Sequence, residues 1–241
     1  MLSICLIITL NMTDISNWNY YYNWEVHQNV RANLVYTALV SPDNKTFCMD
    51  FNRQIGYHCF PEENEVWTKE LLTQRFESEL KFHALAGKCL PTLKIQDVDT
   101  DNRRIFLEWT GNDFLMQRMA NENVLPNWQD QWLTLLTTMW DNNIAKISIH
   151  PNSWTVNEGQ LVPLNWFFCY PLDGEKIKIS SILMQISAQR KDKLAGALAT
   201  LGFDLDTSYT IKEIQTVALN SFRANYSAEL IDRALNVLQK Y

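Results

Sequence analysis

Near Thr110-Gly111-Asn112 the hydrophobic period of this chain changes, and that change limits its possible folds more than any other feature. Before it, short runs rich in aromatic and β-branched residues are separated by polar turns, which is the pattern of strands. After it, apolar residues recur three and four apart, as on a buried helix face. Residues 20–109 therefore read as a sheet-forming unit and residues 110–241 as a mainly helical one, with residues 1–19 as a tail. A chain of 241 residues suits one two-lobed α+β domain, or two small domains sharing an interface, and is long enough to bury a sizeable core.

In the first unit, Tyr20 to Val26, Leu34 to Val40 and Thr46 to Phe51 form an expected antiparallel meander, turning at Ser41-Pro42-Asp43-Asn44. A helix follows from Asn64 to Ala86, because Trp67, Leu71, Leu72, Phe76 and Leu80 recur at helical spacing and Gly87 supplies a stop. Thr92 to Val98 and Arg104 to Trp109 then flank Asp99-Thr100-Asp101-Asn102 as a hairpin. In the second unit, Asp113 to Ala120 and Asn127 to Ala145 read as helices. The longer one carries Trp128, Trp132, Leu135, Leu136, Met139 and Trp140 on one face. Trp154 to Val156 and Leu161 to Phe167 bracket Asn157-Glu158-Gly159-Gln160 as a small β-hairpin. Helices near Ile179 to Leu201, Ile211 to Phe222 and Ala228 to Gln239 complete the chain, the last capped by Ser227.

Composition removes several function classes. With 46% hydrophobic and 20% charged residues the chain is globular in type, and its nine Trp and nine Tyr read as core packing. A net charge of −6 and a longest basic cluster of only Arg190-Lys191-Asp192-Lys193 argue against a nucleic-acid partner. The five cysteines, Cys5, Cys48, Cys59, Cys89 and Cys169, contain no CxxC pair and support neither a disulfide framework nor zinc, which suits a reducing cytoplasm. His27, His58 and His83 have no cysteine or carboxylate at ligand spacing, so no metal site is expected there. The apolar run from Ile4 to Leu10 is too short to span a bilayer, and stable membrane insertion is not expected. It reads as a translated tail upstream of a start at Met12, as a packed or membrane-associated segment, or as a signal core that lacks the usual flanks.

Five strands with one helix between the third and fourth, then a helical half holding one hairpin, resemble the protein-kinase-like fold. The aminoglycoside-phosphotransferase and choline-kinase branches fit best. Those relatives carry a catalytic loop H-G-D-x-H-P-x-N, then a hairpin, then a hydrophobic-D motif. Here Lys146-Ile147-Ser148-Ile149-His150-Pro151-Asn152-Ser153 precedes the hairpin and Pro163-Leu164-Asn165-Trp166-Phe167 closes it. With His150-Pro151 fixing the register, the resemblance puts Ser148 at the catalytic acid, Ser153 at the metal-binding Asn and Asn165 at the second metal-binding Asp. Sliding the register so that His150 becomes the first histidine puts Asn152 at the acid, again without a carboxylate.

The nucleotide-binding features are eroded in the same way. The first turn, His27 to Asn33, has no glycine, so its backbone cannot approach phosphates closely. Met49 or Asp50 stands where the phosphate-contacting Lys belongs, and an Asp there repels ATP. Glu77 or Glu79 takes the place of the Lys-pairing glutamate; without that lysine it is expected on an exposed helix face. Glu108-Trp109-Thr110 would be the hinge, whose backbone groups could still meet an adenine ring. His150 is expected to close a turn, since no third group completes a Ser148-His150 nucleophile pair.

Phosphoryl transfer depends on carboxylates that position the acceptor and hold Mg²⁺, and these are missing. The resemblance therefore implies a catalytically inactive, pseudokinase-type chain that binds or regulates an unidentified protein partner, with no cofactor because ATP and Mg²⁺ lose their ligands. The alternative is an atypical small-molecule phosphotransferase, or a nucleotide- or metabolite-binding protein, using the cleft between the lobes. A third reading is an α+β protein of other ancestry with a coincidental likeness.

Overall fold

A computed structural model describes residues 14–20, 36–52, 69–109, 115–166, 168–182, 196, 198–200 and 202–241. The expected first turn at His27 to Asn33, the run from Ile4 to Leu10, Thr110 and the helix residues 64–68, 113–114 and 183–195 lie outside these, as do residues 21–26 and 34–35 of the first two strands.

Strands β1 (Asn19–Tyr20), β2 (Thr37–Val40), β3 (Thr46–Asp50), β4 (Ile95–Asp99) and β5 (Arg104–Glu108) form one antiparallel sheet in the order β1-β2-β3-β5-β4. Helix α1 (Lys69–Ala86) lies between β3 and β4 in the chain. The β2–β3 turn closes because the Ser41 hydroxyl donates to Asp43 at 2.6 Å and accepts the Thr46 N–H at 2.9 Å, while Asn44 takes a left-handed φ of 58°. Asn adopts that region more readily than most residues. All five residues of β3 are buried, so both faces of the sheet are covered there. Alternation sends Phe47 and Met49 into a core with Leu72 and Phe76 of α1, and Cys48 to the other face with Leu39, Phe106 and Ile15.

The second half contains α2 (Leu115–Ala120), α3 (Trp128–Asp141), β6 (Ile144–Lys146), β7 (Trp154–Asn157), β8 (Gln160–Pro163), β9 (Cys169–Pro171), β10 (Ile177–Lys178), α4 (Ile179–Ile182), β11 (Ser208–Tyr209), α5 (Ile211–Ser221) and α6 (Ala228–Leu238). Its strands pair as three small antiparallel ladders, β6 with β9, β7 with β8 and β10 with β11. The described chain is thus a mixed α+β structure with six helices and several antiparallel sheets. None of its described helices is long and apolar enough to cross a membrane.

The stripe on α3 is buried as its spacing predicts, from Trp128 to Trp140. It packs with Leu230, Ile231, Ala234 and Leu238 of α6, which is capped by the Ser227 hydroxyl on the Leu230 N–H. Helix α5 begins with a reciprocal Thr210–Glu213 capping box. The hairpin turn uses Glu158 and Gly159, both at positive φ, as a tight two-residue connection requires.

Three expected boundaries are corrected. The helix from Asn127 ends at Asp141 rather than Ala145, because Asn143 turns left-handed at φ 60° and exchanges hydrogen bonds with Asp173 at 2.6 and 2.9 Å. Ile144 to Lys146 then pairs with β9 instead of continuing the helix. The hairpin's second strand stops at Pro163, so Asn165 and Trp166 lie beyond the ladder. The fourth strand begins at Ile95 rather than Thr92 and carries a bulge between Ile95 and Asp97.

Two apolar clusters organise these elements: one joins the sheet to α1, the other joins α3, α6 and the loop before β7. The hairpin serves both. Val162 and Leu164 belong to the sheet cluster, whereas Trp154, Val156 and Leu161 belong to the helical one. Leu136 is fully buried in the helical cluster, and truncating it to Ala leaves a cavity that its neighbours fill only in part. Leu136→Ala is expected to lower stability by about 2–5 kcal/mol, measured by urea denaturation with an unchanged slope.

Candidate functional site

The loop after β6 is built on one backbone carbonyl. Ile149 is buried, and its carbonyl accepts the Trp154 indole N–H at 3.2 Å and the Tyr226 hydroxyl. Both donors belong to an aromatic cluster in which Trp132 meets Tyr226 at 4.7 Å and Trp154 at 6.3 Å between ring centroids. That cluster fixes the chain on either side of Ile149, so Ser148 and His150 inherit their positions from it.

His150 closes a turn, as its proximity to Pro151 suggests. Its Nδ1 accepts the Asn152 N–H at 3.1 Å and its carbonyl accepts the Ser153 N–H at 2.7 Å, capping a single turn of 3₁₀ helix at Pro151–Ser153. This turn carries Ser153 back toward Ser148, whose hydroxyl oxygens lie 3.1 Å apart. The Ser153 carbonyl then receives the Leu164 N–H at 2.9 Å, holding the end of the hairpin beside the loop. Two of the four residues singled out in this segment therefore come together, and His150 borders them with its ring edge-on to Phe222.

Asn165 is engaged elsewhere. Its backbone carbonyl and its Oδ1 accept from the Lys146 ammonium at 2.6 and 3.1 Å, and its Nδ2 donates to the Tyr36 hydroxyl at 3.4 Å. Lys146 is fully buried, with Nζ 5.8 Å from the Trp154 ring centroid and 6.0 Å from that of Trp166. Burial holds its pKa below the ordinary lysine value, opposed by Cys169 and by the negative field of Glu79. The Cys169 thiol, its register partner on β9, is pushed up to about 12, chiefly by the same burial.

A lysine inside Ile144-Ala145-Lys146-Ile147 is an anomaly legible in the sequence. Such a cation is either exposed on a strand edge or buried with partners, and here it is buried.

Glu79 and Glu77 separate cleanly. Glu77 is exposed, whereas Glu79 is 2% exposed and its Oε1 accepts the Trp166 N–H at 2.7 Å. The expectation of an exposed carboxylate holds for Glu77 and is corrected for Glu79, because the helix face that carries it packs against the segment after the hairpin.

The remaining expected cleft residues do not join this group. Asp50 is fully buried and pairs with Arg104 at 3.3 Å, its register partner on β5. Strand alternation puts it on the face of Cys48, opposite Met49 and α1. Asp50 is thus a structural ion pair of the sheet rather than a cleft carboxylate. Glu108 is exposed and its N–H donates to the Lys94 carbonyl; the Trp109 N–H donates to Lys45, both at 2.8 Å. The Trp109 ring is buried against Phe47 at 5.1 Å, and Thr110 lies outside the described residues.

Two separate arrangements result: the Ser148 and Ser153 hydroxyls share one hydrogen bond, and the Lys146 side chain is held by the Asn165 carbonyl and amide oxygens, with the buried Glu79 carboxylate on the neighbouring Trp166 N–H. No protein-family model and no curated protein matches this chain.

Burial lowers the His150 pKa below its ordinary 6.5. The unfolded chain then binds more protons than the folded one at pH values below 6.5, so stability falls as the medium is acidified through that region. His150→Asn keeps a cap for the Asn152 N–H without a titrating ring. The variant is expected to show a flatter decline of Tm between about pH 7 and pH 5 than the parent.

Proposed function

We propose that this chain is a catalytically inactive kinase-like protein that acts as a binding or regulatory scaffold. The observation that carries the reading is that the residues standing at the catalytic and metal-binding positions are neutral and are bonded to other protein groups. Ser148 and Ser153 share a hydrogen bond, and Asn165 is held by Lys146.

The donor set does not suit a divalent cation. Mg²⁺ takes hard, usually anionic oxygens in octahedral array. Here the Asn165 amide oxygen already faces a buried ammonium, whose charge repels a second cation at close range. No step through a metal is therefore assigned to this chain. The order of five strands with α1 between β3 and β4, followed by helices and the β7–β8 hairpin, supports the kinase-like reading of the architecture.

A nucleotide-binding role draws less support. The backbone N–H groups of Glu108 and Trp109 are engaged within the sheet, and Tyr36, Phe47, Phe51 and Trp109 form one aromatic cluster with Val162 and Leu164 of the hairpin. Free thiols at Cys48, Cys89 and Cys169 fit the proposed cytoplasmic location.

Titration calorimetry with ATP in Mg²⁺ or Mn²⁺ is expected to give no saturable heat. Asn165→Asp is expected not to create Mg²⁺ binding, because the new carboxylate pairs with Lys146. Phosphotransfer turnover that Ser148→Ala abolishes would overturn the reading.

A further inference from the structure

Below Ser148 a cavity of about 260 Å³ opens between the loop after β6, α4 and α5. Ile147, Phe168, Ile179, Leu198, Ile214 and Val217 form most of its wall, and Ala218 stands at its side. Its polar lining is two serines, and among the described residues no charged side chain faces it. The Ser221 hydroxyl donates its proton to the Val217 carbonyl at 2.8 Å and so has none for a ligand acceptor. Ser148 differs. Between its oxygen and that of Ser153 only one proton is needed, so the pair retains a second proton for another acceptor.

A largely apolar chamber with one hydrogen-bonding point is the usual form of a small-molecule site. Its volume exceeds the roughly 150 Å³ of an apolar cavity that admits benzene and falls just short of the range of about 300–1,000 Å³ for drug-sized ligands. A charged headgroup finds no counter-ion in the described wall and loses its hydration on entry.

Phe168 gives the chamber a second property. Its backbone sits at a φ of 55°, in the left-handed region where a bulky side chain is rare, and such strain persists where the surroundings enforce it. The ring lines the cavity on one side and receives the Arg75 guanidinium of α1 at 4.5 Å from its centroid on another. It is packed against both the sheet cluster and the cluster of α4 and α5. Whatever fills the chamber therefore presses on a side chain that touches α1 directly.

We propose that this chamber is a binding site for a small uncharged apolar molecule, with a hydroxyl or carbonyl at the Ser148 end, and that Phe168 relays its occupancy to α1. The site needs no nucleotide and no phosphoryl transfer, so it stands or falls apart from the scaffold reading.

Octanol, toluene and octanoate serve as probes, with binding followed by calorimetry and α1 by amide hydrogen exchange. Octanol and toluene are expected to bind saturably at one site, and octanoate at least about tenfold more weakly. Ala218→Leu fills the chamber and abolishes binding. Ser148→Ala weakens octanol several-fold and leaves toluene unchanged, which carries the test if the larger variant misfolds. Octanol is expected to slow exchange in α1 of the parent and not of Arg75→Met. The proposal is overturned by absent saturable binding of both neutral probes, by unchanged binding in a folded Ala218→Leu, by octanoate binding as tightly as octanol, or by an α1 indifferent to octanol.

Discussion

Taking an ammonium group out of water costs several kcal/mol unless its protons are bonded, and Lys146 meets that cost with two bonds to a single residue. Because one acceptor is the backbone carbonyl of Asn165, the bond fixes the path of the chain after the hairpin as well as one side chain. Glu79 fixes the next residue from the other direction by accepting the Trp166 N–H. Strand β6, α1 and the exit of the hairpin are thereby held by two adjacent buried polar residues of opposite charge type. Removing either leaves its partner atoms desolvated, which is the costlier failure in a low-dielectric interior.

The same geometry decides what the segment can do. The loop before the hairpin and the segment after it turn their polar atoms toward one another or toward the core. Ser148 meets Ser153, Asn165 meets Lys146 and Tyr36, and the Asp50 carboxylate meets Arg104 across the sheet. These buried polar groups are satisfied in pairs, as a low-dielectric interior requires.

Features written in local pattern were legible in the sequence. The α3 stripe, the Glu158-Gly159 turn and the Ser227 cap each depend on residues within a few positions, and each stands where its spacing indicates. Three-residue strands depend on a partner far along the chain, so β6 reads instead as the end of a helix and β9 carries no local signal. The choice between Glu77 and Glu79 turned on which face of α1 meets the segment after the hairpin, which helical periodicity leaves open when the helix is this polar. Asp50 was misplaced because its position on β3 fixed its strand but not its partner, Arg104, fifty-four residues later. Lys146 was visible as a charge among apolar neighbours, yet its acceptor lay beyond the hairpin.

The Lys146 ammonium, held inside the protein by Asn165, can be observed directly. In a nuclear magnetic resonance spectrum of protein carrying isotopically labelled lysine, the Lys146 ammonium is expected to give a separate signal whose protons exchange slowly with water. It should lose its proton at lower pH than the surface lysines, and Asn165→Leu should perturb it. A Lys146 signal that exchanges as fast as the surface lysines, titrates with them and ignores Asn165→Leu would contradict the account.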